Sequence, residues 1–332
     1  MVSLEFLSLE LYLKMSVLQN TYAFYVIIHL MNKIITILSL ILLFLINGCS
    51  TTDKASDKPS VVTTTYAIYD AAKHIGGSDV NVTMLIPPGR EIHTFEPTPQ
   101  DIVKLNKASL VIYNGEGFEP WMGQFDIGAK ALDLSRYVTL KKGEDVHHHV
   151  HELHSDYDPH YWLDFDNMKR VAEVIAKKFG ELEPSKKQLF MQRAKEYEKM
   201  LSKLDESYRQ TLKNCKKDEI FVNHNAYGYL ASRYGFDVHS LVGLSPDAEP
   251  DPKTVQNLLD EIQKEGVKYI FYEPFENSAV LNSIAKDAGV KTLPLQPLGN
   301  ITADEAAKHF GYKEIMLENL HKIAQGLECN GV

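Results

Sequence analysis

Three histidines stand in sequence contexts that suit ligand binding better than core packing. His93 lies in Gly89-Arg90-Glu91-Ile92-His93-Thr94-Phe95-Glu96-Pro97-Thr98-Pro99, a loop that follows a β-rich run. His160 lies in Tyr157-Asp158-Pro159-His160-Tyr161-Trp162-Leu163-Asp164, just before a helical pattern. His224 follows the run Ile220-Phe221-Val222-Asn223. Imidazole is a common metal ligand and a general base near neutral pH, so three of them in one cleft would be a reactive or metal-binding site. Taken singly, each is more often a hydrogen-bonded or surface residue. Loops at the carboxyl ends of strands are, however, where open α/β sheets bind ligands.

The elements that must position them alternate in type. Strand-like runs fall at Val61–Thr65, Val80–Ile86, Leu110–Tyr113 and Ala131–Leu134, with helical patterns at Tyr66–Ile75 and Thr98–Lys107. A second set falls at Ile220–Asn223, Asp237–Ser240, Tyr269–Tyr272 and Lys291–Pro294. Helical patterns at Ala226–Tyr234, Pro252–Glu265, Ser278–Asp287 and Ala303–Gln325 separate and follow these strands. Such alternation predicts an α/β fold with two lobes, each a mostly parallel four-stranded sheet flanked by helices. Between the sets, Phe190, Ala194, Tyr197, Leu201, Leu204, Tyr208 and Leu212 recur at spacings of three and four. That stripe predicts one long, rigid helix over Pro184–Cys215, roughly 45 Å, joining the lobes. His93 and His160 then come from one lobe and His224 from the other, which places a site in the interlobe cleft.

The 332 residues carry 35 lysines and arginines against 44 acids, a net charge of −9. That balance argues against a general nucleic-acid binder. Ile34–Ile46 is a short apolar run after Met31-Asn32-Lys33, and Ile46-Asn47-Gly48-Cys49 closes it. Thirteen residues rise about 20 Å as a helix, less than a ~30 Å hydrocarbon core. A lipoprotein signal with Cys49 as the lipidated residue is therefore expected, residues 1–30 being an upstream extension. The alternative is an uncleaved anchor helix from about Tyr22 to Ile46; both place the remainder outside the cytoplasm. Residues 49–60 are polar and read as a tether, followed by a first lobe over 61–183, a linking helix over 184–215 and a second lobe over 216–332.

His-Thr-Phe-Glu-Pro-Thr-Pro-Gln-Asp, Asp-Pro-His-Tyr-Trp-Leu-Asp and Asn-His-Asn-Ala-Tyr-Gly-Tyr-Leu closely resemble the metal-binding segments of the zinc/manganese solute-binding proteins of ABC importers. Order and spacing agree from Val61 to the C-terminus, nearest to the zinc-uptake branch. The resemblance implies that His93, His160 and His224 coordinate one metal ion, with a membrane permease and its cytoplasmic ATPase as partners and a monomeric, lipid-anchored chain. Three neutral imidazoles suit Zn²⁺ and leave a fourth tetrahedral position open, whereas Mn²⁺ prefers more oxygen ligands. Where many relatives carry an aspartate ligand, this chain has Gln296. Water is the expected fourth ligand, with Glu91, Glu96, Glu273 and Gln296 expected to brace the ligands from behind or one of the glutamates to take its place.

The segment 144–156 holds His147, His148, His149, His151 and His154 among acids. A loop of this composition occupies the same place in zinc-type relatives, which implies auxiliary metal capture; a solvated loop without that role is the alternative. Cys215 and Cys329 would lie in an oxidising compartment, either paired or free. Two other functions compete with zinc capture for transport. One is a zinc-dependent hydrolase or hydratase, which would need an open pocket and a general base beside the metal-bound water. The other is a surface adhesin or metal-sequestering lipoprotein.

Overall fold

The computed structural model describes residue 25 and residues 29–36, 58–143, 157–244, 246, 250–275 and 279–331. The chain divides into two units, Met1–Asp57 and Lys58–Val332. In the first, residues 29–36 are helical and exposed. Cys49, the rest of the apolar run and the histidines at 147, 148, 149, 151 and 154 lie outside the described residues. Among the described residues, no helix is long and apolar enough to cross a membrane.

In the second unit, short runs of β-branched and aromatic residues build two sheets. The first contains β1 (Ser60–Thr63), β2 (Asn81–Met84), β3 (Leu110–Tyr113) and β4 (Ala131–Asp133) in the order β2-β1-β3-β4. The second contains β7 (Glu219–His224), β8 (Asp237–Val242), β9 (Tyr269–Tyr272) and β10 (Lys291–Pro294) in the order β10-β9-β7-β8. Every pairing in both is parallel. Read from its second strand, each sheet has the same order, so each reverses direction between its first and third strands. That reversal is the topological switch point, where α/β sheets leave a crevice at the strand carboxyl ends.

Helices α1 (Tyr66–Gly76) and α2 (Pro99–Lys107) serve the first sheet, and α5 (Gly228–Tyr234), α6 (Pro252–Glu265) and α7 (Ala279–Ala288) the second. Thr98 and Asp101 form a capping box at the start of α2, which fixes the end of the loop that carries His93. Helix α3 (Phe165–Leu182) turns through Pro184–Lys186 into α4 (Lys187–Thr211), and the two pack along each other. The expected stripe is the buried face of α4: Phe190, Ala194, Tyr197, Leu201, Leu204 and Tyr208. The α-helix itself is shorter than Pro184–Cys215, because short 3₁₀ turns form Pro184–Lys186 and Leu212–Asn214.

Two features depart from the sequence expectation. The helix over Ala303–Gln325 is broken into α8 (Ala303–Ala307) and α9 (Tyr312–Gly326). His309 adopts φ 55°, a left-handed conformation no α-helix can pass through, and the freed Phe310 carbonyl accepts from the Tyr66 hydroxyl. The second is an antiparallel ladder of β5 (Lys141–Lys142) with β6 (Tyr157–Asp158), directly before His160. Cys215 and Cys329 form a disulfide, joining the end of the α4 segment to the end of the last helix. One continuous core joins α1, α3, α4 and α9 with residues of both sheets, and a smaller one lies between the second sheet, α6 and α7.

Candidate metal centre

Each histidine is delivered by a different local device. His93 sits on a turn whose backbone is held by Glu91, because one carboxylate oxygen accepts from the N–H of Ile92 and of His93, both at 2.8 Å. Ile92 next to it is buried against Gly299; a Cβ there would lie 1.9 Å from Ile92 Cδ1, so only glycine fits. His160 precedes the 3₁₀ turn Tyr161–Leu163. Asp158 Oδ1 meets both its backbone N–H, at 2.9 Å, and its ring Nδ1, at 2.8 Å. His224 ends β7, in register with Val242 of β8, and its Nδ1 pairs with the carboxylate of Glu273, the residue after β9.

These devices bring the three side chains to one point in the cleft, with one ligand atom from each within 4.8 Å of the others. The rings of His93, His160 and His224 lie 5.1–5.5 Å apart between centroids. His160 Nε2 faces His224 Nε2 at 3.3 Å. A carboxylate on Nδ1 keeps the proton there, so both Nε2 atoms present lone pairs. Two lone pairs at that distance repel unless a cation lies between them. Tetrahedral zinc with Zn–N near 2.0–2.1 Å sets its nitrogens roughly 3.3–3.4 Å apart, which matches the observed separation. The donor set therefore fits a small divalent cation.

Electrostatics favour the same chemical form. His93 is held well below the usual histidine range, first by desolvation and then by the neighbouring imidazoles of His224 and His160, so it is the neutral, ligating form at pH 7. Aromatic rings wall the centre. Phe118 stands edge-on to His93 at 4.9 Å and to Trp162 at 5.3 Å, and Trp162 Nε1 donates to Pro297 O at 2.7 Å across the cleft. The cavity bounded by Arg90, Glu91, His93, His160, Glu273 and Asn300 measures about 10 Å³. That is room for about one water or one ion, against the ~300 Å³ or more of a small-molecule pocket.

The other sequence candidates divide. Glu273 and Glu91 brace His224 and the His93 turn respectively, whereas Glu96 is exposed. Gln296 is buried but engaged elsewhere: Nε2 donates to Glu305 at 3.0 Å and Oε1 accepts from Leu298 N at 3.2 Å. Its backbone is tied to Asn319 on α9, so the side chain is committed to the α8–α9 side. The partner that sequence reasoning passed over is Asp158. The Asp-Pro-His spacing was its signal, since an aspartate two residues ahead can bond the backbone N–H that follows.

The family model of the zinc-uptake complex component A, periplasmic, matches residues 61–326. The zinc-binding lipoprotein AdcA of Streptococcus pneumoniae is 32% identical over 315 residues, covering 91% of this chain and 62% of AdcA. The chain thus spans less than two thirds of that relative. The high-affinity zinc uptake system protein ZnuA of Bacillus subtilis is 33% identical, covering 83% of this chain and 89% of ZnuA. The solved Zn(II)-bound ZnuA-like domain of Streptococcus pneumoniae AdcA aligns with TM-score 0.70 at 30% identity, covering 82% of this chain and 99% of that one.

Proposed function

We propose that this chain, which belongs to the family of the periplasmic component A of zinc-uptake complexes, captures Zn²⁺ outside the cytoplasm and delivers it to an ABC-type permease driven by a cytoplasmic ATPase. One observation carries the reading: three imidazoles converge in a nearly closed cleft, two of them with carboxylates on Nδ1 and Nε2 atoms 3.3 Å apart. In this reading His93, His160 and His224 ligate the ion and water completes a tetrahedron. Asp158 and Glu273 fix the imidazole tautomers and raise their basicity. Nitrogen-rich coordination favours zinc over manganese.

Zinc is cargo here, and the chain acts as a carrier rather than as an enzyme. A hydrolase or hydratase site needs space for its substrate beside the metal-bound water, and a cavity of about 10 Å³ does not supply it. A surface adhesin or metal-sequestering lipoprotein would keep the same zinc site, and delivery to a permease is what sets the proposed carrier apart. The chain works as a monomer held to the membrane by lipid on Cys49. His147, His148, His149, His151 and His154 collect zinc at lower affinity. The net charge of −9 adds only a weak attraction, screened beyond about 8 Å.

Chelator-competition titrations with zinc and manganese test the reading. One tight zinc per chain is expected, lost when His93, His160 and His224 are all replaced by alanine. Tight zinc surviving that triple replacement, or manganese outcompeting zinc, would overturn it.

A further inference from the structure

The helix that follows His224 reaches back across the cleft to the elements that carry His160. At the start of α5, the Tyr229 hydroxyl donates to Asp158 O at 2.8 Å and accepts from Lys141 N at 2.9 Å. Lys141 and Asp158 are partners in the β5–β6 ladder, so one hydroxyl from the second lobe clasps both strands of it. Lys141 Nζ adds a bond to Gly228 O at 3.1 Å. The approach is close: a Cβ at Gly228 would lie 3.1 Å from Asp158 Oδ2, the carboxylate that holds the His160 ring.

One turn further on, Arg233 spreads its guanidinium over three carboxylates. Nε and Nη2 take the two oxygens of Asp205 on α4, at 2.9 and 2.8 Å. Nη1 takes Asp164 at 3.1 Å and Asp166 at 2.9 Å, at the start of α3. Asp164 also caps α3 by accepting from Asn167 N at 2.8 Å. The Arg233 side chain is only 14% exposed, so this fork is partly desolvated and stronger than a surface ion pair. His160 therefore lies between two supports, Asp158 before it and Asp164 after it. Both are held by α5.

We propose that α5 is an interlobe bracket, with Tyr229 and Arg233 as positioning residues that fix His160 against His224 and thereby set the zinc affinity. The inference rests on reading the three histidines as zinc ligands. Neither Tyr229 nor Arg233 touches the ion. They act on the separation of two ligands that come from different lobes, and a binding constellation loses strength when its geometry loosens by about 0.5 Å.

The test uses the full-length protein and three variants, Tyr229→Phe, Arg233→Met and Arg233→Lys, with Arg209→Ala as control. Arg209 meets Asp205 from the solvent side and is half exposed, so its loss leaves the bracket intact. Zinc affinity by chelator competition is expected to fall about threefold to tenfold in Tyr229→Phe, less than the 10–100-fold typical of a residue that bonds a ligand directly. Arg233→Met should lose more, Arg233→Lys should restore part of that loss, and Arg209→Ala should match wild type. Co²⁺-loaded Tyr229→Phe should also show an altered visible absorption spectrum, because the ligand field reports imidazole placement. A lowered melting temperature with unchanged zinc affinity and cobalt spectrum would reduce both residues to structural roles and overturn the bracket. Should Arg233→Met fail to fold, Tyr229→Phe decides alone. If wild type itself holds no stoichiometric zinc, the ligand reading falls and the bracket with it. Tight wild-type binding with unaffected variants removes the bracket only.

Discussion

The first sheet reverses its strand order between β1 and β3, and the second between β7 and β9. Each reversal holds a buried glutamate. In the first sheet it is Glu119, whose carboxylate accepts from the Thr64 hydroxyl, from the backbone and side-chain nitrogens of Asn114, and from Gly115 N. In the second it is Glu273, which faces the imidazole of His224. Thr64 and Asn114 directly follow β1 and β3, just as His224 ends β7 and Glu273 follows β9. The reversals correspond, but Glu273 directly follows its strand whereas Glu119 reaches back from six residues beyond β3, and the neighbours differ. Neutral donors turn one carboxylate into a buried plug that ties the ends of β1 and β3 together. An imidazole turns the other into a tautomer lock and leaves a nitrogen lone pair aimed at the cleft. Topology offers the place, and the residue across from the glutamate decides the chemistry.

Breaking the metal side of that comparison should have the largest effect. His224→Ala is expected to abolish stoichiometric zinc in equilibrium dialysis. Glu273→Gln keeps the shape and loses the charge, so zinc affinity should fall about 10–100-fold. An unchanged competition titration would mean that Glu273 does not tune His224.

The plug side should respond differently. Burial pushes the Glu119 carboxyl from 4.5 up to about 7, against the opposing effect of its hydrogen-bond donors. The folded state then binds that proton more tightly than the unfolded chain. Its stabilising contribution is complete below pH 4.5 and is lost as the pH rises through about 7. The swing is roughly 3 kcal/mol, at about 1.4 kcal/mol per pKa unit. Urea denaturation of metal-free Glu119→Gln should be flatter than wild type across that window, with zinc affinity kept within about twofold. An identical pH dependence would contradict the assignment.

The smallest effect on zinc should come from replacing Cys215 and Cys329 together by serine, since the disulfide lies at the ends of α4 and α9, outside the centre. Zinc affinity should stay at the wild-type value while unfolding stability drops by about 2–4 kcal/mol. A weakened zinc titration in this double variant would show that the centre depends on the remote tie.

The strands of both sheets were legible because their β-branched and aromatic runs are short and alternate with helical periods; Leu110–Tyr113 and Tyr269–Tyr272 appear at the expected residues. The convergence of His93, His160 and His224 followed from loop placement and flanking residues. Features set by long-range contacts were not legible. The break near His309 carries a local signal in Gly311, which caps the last helix through Glu314, but the left-handed His309 and the Tyr66–Phe310 bond are seen only in three dimensions. Gln296 is drawn away by Glu305 and Asn319, nine and 23 positions later. The pairing of cysteines 114 positions apart is likewise decided by the fold. Asp158 falls between these cases, with its spacing visible and its reach to the His160 ring seen only in three dimensions.

The most direct measurement on the central claim is zinc K-edge X-ray absorption of the protein loaded with one equivalent of zinc. Three imidazole nitrogens and one oxygen are expected at about 2.0–2.1 Å, with the imidazole scattering lost in the triple alanine variant. Fewer than three imidazoles around the zinc, or a spectrum unchanged by removing His93, His160 and His224, would overturn the three-histidine centre.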